Sequence, residues 1–206
     1  MEKIRIAVLV SGGGTNLQAL LDAERDGRIK SGTIALVVSN KQDAYALERA
    51  KNAGVEAVYL KRSRKDQGAA FEAALEELLE SRGIGLIILA GFLSILSEDF
   101  TKKYPNRIIN IHPSLIPAFC GAGYYGLKVH EAALARGVKV TGATVHYVNE
   151  IPDGGEIIFQ KAVEILPEDT PESLQLRVMQ EAEWKLLPAA AELVSEKLLQ
   201  EKEEGL

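Results

Sequence analysis

The sequence predicts an α/β fold: a mostly parallel, twisted sheet with helices on both faces and an antiparallel C-terminal extension. Three observations carry this expectation. Apolar, strand-length runs alternate with helix-spaced segments through the first half of the chain. Ile84–Ala90 is continuously apolar, as a strand covered on both faces must be. After about Pro113 the alternation stops, and two segments of period two flank a turn-rich connection.

Each element follows from its residues. Ile4–Val10 is a β-branched run with Arg5 near its start, and Gly12-Gly13-Gly14 follows it. Asn16–Ala23 carries Leu17, Leu20 and Leu21 at helical spacing. Ile34–Val38 is the next strand, Asp43–Ala53 reads as a helix stopped by Gly54, and Ala57–Leu60 is a short strand. Asp66–Ser81 places Phe71, Leu75, Leu78 and Leu79 on one helical face, and Gly83 ends it. Arg107–Ile111 repeats the pattern of Ile84–Ala90. Such strand-then-helix units imply right-handed crossovers and hence a parallel sheet. Ser114–Gly126, rich in glycine, proline and aromatics, reads as a long loop, and His130–Ala135 as a helix. Thr141–Val148 and Glu156–Val163 are expected to pair around Asn149–Gly155. Pro171–Leu199 reads as a long amphipathic helix, with Pro188 as its expected break.

Composition bounds the function. The 206 residues are 47% apolar and 26% charged, enough for a core that needs no staples. A single cysteine, Cys120, excludes an intrachain disulfide and suits a reducing compartment. The net charge of −5 offers no footprint for nucleic acid. Met1–Ser11 lacks the pattern of a secretory leader, and the longest apolar runs are strand-sized. A cytoplasmic protein with neither nucleic-acid nor membrane partners is expected, either monomer or homodimer.

In an open α/β sheet, ligands sit outside the carboxyl ends of the strands. Three candidate segments fall there: Ser11–Asn16, Gly91–Leu96 and Ile111–Ser114. In Ser11–Asn16, glycines permit a tight turn and free amides at a helix start attract anions. A plain turn is the other reading. Leu17 stands where the dinucleotide fingerprint needs its third glycine, and no Walker lysine follows. Asn110 and His112, two apart on a strand, share a face. The histidine exchanges protons near neutral pH, and the asparagine amide donates to a developing oxyanion. A strand-end pair satisfied by backbone is the alternative. Asp153, in Pro152-Asp153-Gly154-Gly155, reads by itself as a hairpin turn residue. His130 reads as a surface or capping residue. His146 alternates with Val145 and Tyr147 and either faces away from the core or looks into the site. No Cys/His/carboxylate spacing resembles a metal site, and Cys120 has no paired base by sequence spacing.

Taken together these segments resemble the phosphoribosylglycinamide formyltransferases, folate-dependent enzymes of purine synthesis. The carrying residues are Ser11–Gln18, Val38–Lys41, Leu89–Ser97, Asn110–Phe119 and Gly142–Val148 running to Asp153-Gly154-Gly155. The resemblance spans nearly the whole chain. It implies one Rossmann-like formyltransferase domain over 1–206, with a phosphate-binding half about 1–105 and a folate and catalytic half about 106–206. It implies formyl transfer from 10-formyltetrahydrofolate, a co-substrate, to phosphoribosylglycinamide, with no metal. Gly12, Gly13, Gly14, Thr15 and Asn16 would hold the substrate phosphate and Glu183 the ribose. Arg64, Leu89, Phe92, Leu93, Ser94, Ile95, Leu96, Asn110, Val148, Asn149 and Glu150 would contact folate. Asn110, His112 and Asp153 would be the catalytic trio, with Asp153 raising the His112 pKa so that a protonated imidazole meets the oxyanion. Ser94 stands where some relatives have arginine, and the Cys120–Leu127 loop is longer than in many. A formyl-folate hydrolase, a tRNA-directed formyltransferase and a non-catalytic mononucleotide-binding module are the alternatives. The first usually carries an extra N-terminal domain and the second a C-terminal one, and neither is expected here.

Overall fold

The computed structural model describes residues 2–63 and 68–205. Its strands are β1 (Ile4–Val10), β2 (Gly32–Ser39), β3 (Glu56–Tyr59), β4 (Leu86–Leu89), β5 (Ile108–His112), β6 (Val140–Tyr147) and β7 (Ile157–Glu164). Its helices are α1 (Thr15–Arg25), α2 (Tyr45–Asn52), α3 (Ala69–Ser81), α4 (Glu98–Lys103), α5 (Leu127–Arg136), α6 (Pro171–Val178) and α7 (Trp184–Glu203). The strands form one seven-stranded sheet in the order β3-β2-β1-β4-β5-β6-β7. The first five in that order are mutually parallel, and β6 and β7 are antiparallel to their neighbours. No helix among the described residues is long and apolar enough to cross a membrane.

The period of two along β1 divides the core into its two faces. Ile6, Val8 and Val10 pack with Leu17 and Leu20 of α1 and with Leu187 and Val194 of α7. Ala7 and Leu9 pack on the other face with Phe71, Leu75 and Leu79 of α3 and Phe100 of α4. Helices cover β1 on both faces, which is why its run is apolar on both, and pairing with β2 and β4 leaves it no free edge. The chain turns to β2 on one side of β1 and to β4 on the other. The crevice above β1 and β4 is therefore the switch point where ligands settle.

At the other end of the ladder, β6 turns back along β5. The register sets Asn110 opposite His146 and His112 opposite Thr144. Opposed residues share a face, so this pairing delivers a second histidine to the Asn110–His112 face. β6 ends beside the start of β5, with Ile109 opposite Tyr147, and the 148–156 connection folds back across the sheet. An added Cβ at Gly155 would lie 1.8 Å from the Tyr147 carbonyl oxygen, so only glycine lets the connection start back this closely.

Two features differ from expectation. α4 has no counterpart in the sequence reading. Its six residues are too few for a period, although Ser97 caps it by accepting from the Phe100 amide. The C-terminal helix breaks not at Pro188 but at Met179–Glu183, a π-helical segment between α6 and α7. A proline inside a helix presses on the carbonyl four residues earlier, here Trp184, so the distortion falls on its N-terminal side.

Gly155→Ala should destabilise the protein by about 1–3 kcal/mol, the range for forcing atoms into occupied space. Urea denaturation of the two proteins would measure it, and equal midpoints would contradict the close approach.

Candidate active site

A cavity of about 330 Å³ opens on the α3–α4 face at the carboxyl ends of β4 and β5. The loop after β4 lines one wall with Leu89, Phe92, Leu93, Ser94, Ile95 and Leu96. Asn110 and His112 of β5 form the floor with His146 of β6, and Val148, Asn149 and Asp153 of the returning connection form the opposite wall. Glycines 121, 123 and 126, with Tyr124 and Tyr125, complete the rim. The cavity thus draws on residues from both sides of position 105.

Asp153 is the hub. It takes a left-handed backbone conformation (φ 56°) in the turn, as an aspartate tolerates, and its side chain is largely buried. Its Oδ2 accepts from the Gly121 amide at 2.8 Å and lies 3.6 Å from His112 Nδ1. Its Oδ1 lies 3.5 Å from both Asn110 Nδ2 and His146 Nε2. Burial pushes the carboxyl pKa up, but the two histidines and the Gly121 amide together hold it below its ordinary value. The group is an anion at neutral pH.

The hydrogen bonds fix the histidine tautomers, because a carbonyl can only accept. His112 Nε2 donates to the Phe119 carbonyl at 2.9 Å, so Nδ1, facing Asp153, is the nitrogen free to take a proton. His146 Nδ1 donates to the Tyr147 carbonyl at 2.7 Å. The lone pair on Nε2 of a neutral His146 then accepts from Asn110 Nδ2 at 3.1 Å. Burial lowers the His112 pKa, and the opposing pull of Asp153 and the Phe119 carbonyl does not offset it. The expectation of a His112 raised by Asp153 is corrected here: Asp153 acts in that direction, but desolvation wins and the imidazole is neutral at rest.

The glycine loop leads into α1. Gly14 is its N-cap at φ 73° with no side-chain cap, and the first helical bond runs from the Gln18 amide to Gly14. The amides of Thr15, Asn16 and Leu17 precede that bond and point to the helix start, where anions are favoured. A Cβ at Gly14 would lie 2.6 Å from Ala46 Cβ, so the loop and α2 demand glycine there. Arg49 of α2 donates through Nε to the Gly13 carbonyl and through its Nη1 to Gln18. The Asn16 side chain donates through Nδ2 to Glu183 Oε2 at 2.6 Å, while its buried Oδ1 has no partner among the described residues. Burial pushes the Glu183 pKa up to about 7, against the Asn16 donor, which lowers it.

The structure brings Asn110, His112 and Asp153 together and seats Glu183 against the glycine loop. Glu150 differs: it is exposed and does not line the cavity, because the turn presents Asn149 and Ile151 there instead. Arg64 lies outside the described residues. His130, read as a surface group, is fully buried on α5 with neither ring nitrogen partnered among the described residues, and burial lowers its pKa to about 4. Cys120 donates to the Pro117 carbonyl, and burial raises its pKa, the opposite of an activated thiol. Sequence reasoning made no commitment on His146, yet the alternation of 144–147 together with the β5–β6 register places it. Ser11 lies in the candidate segment Ser11–Asn16 but has no separate role in the sequence; its hydroxyl donates to Asn40 Oδ1 and accepts from the Leu93 amide.

Fold and site together present an α/β domain with a glycine loop at a helix start and a polar cluster of Asn110, His112, His146 and Asp153 beside a cavity at the carboxyl ends of its strands. The chain belongs to the formyl transferase family, whose model matches residues 4–191. It is 42% identical over 184 residues to phosphoribosylglycinamide formyltransferase of Haemophilus influenzae, covering 89% of this chain and 84% of that one. It is 43% identical to part of the trifunctional purine biosynthetic protein adenosine-3 of Gallus gallus, covering 98% of this chain but only 20% of that longer protein. Among solved structures, glycinamide ribonucleotide transformylase 1 of Symbiobacterium toebii superposes with a TM-score of 0.85 at 47% identity, covering 95% of this chain and 89% of that one. A formyltetrahydrofolate deformylase of Pseudomonas syringae also gives a TM-score of 0.85, at 28% identity and covering 62% of its chain. The chain is thus a formyltransferase of the folate-dependent kind.

Glu183 gives the ligand-free protein a pH signature. Its folded pKa of about 7 exceeds the ordinary 4.5, so its contribution to stability is full below pH 4.5 and lost as pH rises toward 7. Glu183→Gln, which cannot ionise, should nearly match the native protein at pH 4.5 and be more stable by about 3 kcal/mol at pH 8. Equal unfolding midpoints at both pH values would remove the buried-acid assignment.

Proposed function

We propose that this enzyme transfers the formyl group of 10-formyltetrahydrofolate to the amine of phosphoribosylglycinamide, a step of purine biosynthesis. The observation that carries the reading is the juxtaposition of Asn110, His112 and Asp153 in the floor and wall of an apolar cavity whose Gly91–Leu96 lining is hydrogen-bonded to Ser11 at the start of the glycine loop. Leu89, Phe92, Leu96 and Val148 suit a flat heteroaromatic ring, and the cavity volume falls in the range of small-molecule sites. The backbone of Gly12 to Asn16 takes the phosphate, and buried Glu183 lies beside it to accept or donate to ribose hydroxyls. No metal is needed for the steps below.

The amine attacks the formyl carbon, the carbonyl oxygen gains the negative charge, and the bond to the folate nitrogen N10 then breaks. One proton leaves the amine and one arrives at N10, carried across by water. Asn110 donates to the oxyanion as it forms. His112 is neutral at rest, but a developing oxyanion adds a second negative neighbour to Asp153. The two together oppose the burial that lowers its pKa, so the amine proton passes through water to His112 Nδ1 as the charge appears and returns through water to N10 as the bond to that nitrogen breaks. Asp153 keeps that imidazolium oriented through Nδ1.

Asp153→Asn preserves shape and removes the anion. It should lower the single-turnover rate of formyl transfer by about 100-fold or more while changing substrate binding little. The assay uses 10-formyltetrahydrofolate and glycinamide ribonucleotide, with a no-acceptor control that detects hydrolysis. Near-native turnover of both Asp153→Asn and His112→Ala would sink the mechanism. Deformylation without acceptor at the full rate would assign the enzyme to the hydrolases instead.

A further inference from the structure

At the switch point, the anion loop leaves β1 and the cavity-lining loop leaves β4, joined at their bases by the Ser11 amide donating to the Gly91 carbonyl at 3.1 Å. Beyond that bond, a closed ring of hydrogen bonds spans the gap between the loops. The Ser11 hydroxyl accepts from the Leu93 amide at 3.0 Å and donates to Asn40 Oδ1 at 2.8 Å. The other end of the same amide, Asn40 Nδ2, donates to the Ser94 hydroxyl at 2.8 Å. Leu93 and Ser94 are chain neighbours, so the ring closes through the backbone. Three strand ends meet in it: Ser11 after β1, Asn40 after β2 and Leu93–Ser94 after β4. Asn40 is itself clamped. The buried Ser39 hydroxyl donates to the Lys41 carbonyl at 2.8 Å and accepts from the Lys41 amide at 3.0 Å, closing the turn around it.

We propose that Asn40 is a positioning residue that sets the distance between the phosphate-holding loop and the folate-lining loop, and thereby between attacking amine and formyl carbon. The proposal rests on the two-substrate reading above. Asparagine suits the task because one rigid planar group supplies both an acceptor and a donor. The two loops hold different substrates, so a shift between them changes neither loop's own contacts. It changes the approach of the reacting atoms, and a misplacement of about 1 Å costs on the order of 100-fold in rate.

The test compares Asn40→Leu, Asn40→Asp and Ser94→Ala in the full-length enzyme. Asn40→Leu keeps the size and breaks the ring. Asn40→Asp restores it, since the Ser94 hydroxyl can rotate to donate to the new carboxylate oxygen. Ser94→Ala cuts the same link at its far end without touching the Ser39–Lys41 turn. In Asn40→Leu we expect kcat to fall about 30- to 100-fold with each KM within about threefold of native, with Asn40→Asp recovering to within about fivefold. Ser94→Ala should fall in the same sense. Hydrogen exchange of the Leu93 amide reads the ring without any reaction, and it should speed up about tenfold or more in Asn40→Leu and stay slow in Asn40→Asp. Overturning results would be an unchanged kcat in Asn40→Leu and Ser94→Ala, a loss confined to the KM of one substrate, or an Asp variant as impaired as the Leu variant. If Asn40→Leu does not fold, Ser94→Ala and Asn40→Asp decide the matter by the same readouts. Failure of the native enzyme to transfer formyl would refute the functional reading, while Leu93 exchange would still report on the ring.

Discussion

One largely buried carboxylate constrains the whole site. Asp153 cannot stay ionised among apolar walls unless donors surround it, and a bare buried anion is far too costly to persist. The Gly121 amide and the Asn110 amide meet it, and two imidazoles stand within 3.6 Å. Those groups come from three different parts of the chain. Asn110 and His112 need the β5 strand end, His146 needs β6 in register, and Gly121 needs the long loop after Pro113 to return over the cavity. Stabilising one charge therefore ties together the strand end, the antiparallel extension and the loop.

The sheet topology explains why those parts meet. A purely parallel sheet would have sent the chain after β5 across a helix to another strand running the same way. β6 runs antiparallel instead, which sets Asn110 directly opposite His146. The same reversal ends β6 beside the start of β5, so the connection to β7 must fold back over the sheet to reach the site. Gly155 permits that start, and the left-handed Asp153 aims its side chain at the floor. At the other side of the cavity, the β1–β4 switch point supplies the crevice, and Ser11 bridges its two loops.

Much of this was legible in the residues, and the rest was illegible for physical reasons. The strands read well because a strand buried on both faces must be apolar throughout, as in the Ile6–Val10 stretch of β1. Asn110 and His112 read as a pair because two-residue spacing has a fixed geometric meaning on a strand. Asp153 did not, since its local pattern is that of any Asp-Gly turn and its role comes from a fold-back that only tertiary contacts specify. His130 was misread because a lone histidine on a ten-residue helix says nothing about which face the sheet covers. The π-helical segment was invisible because proline marks a break without saying on which side the strain is taken up.

The electrostatics of the resting cluster bear on how the proposed reaction is driven. Burial lowers the His112 pKa although an anion stands 3.6 Å away, so a neutral imidazole faces Asp153 at rest. In the proposed reaction the formyl oxygen is neutral at the start and anionic at the intermediate, so a charged His112 acts on the second far more than on the first. Burial opposes that charge and therefore adds a cost to protonating the ring, which Asp153 offsets in part. The same apolar surroundings, Leu89, Phe92 and Val148 among them, keep water away and strengthen the attraction between imidazolium and oxyanion once both have formed.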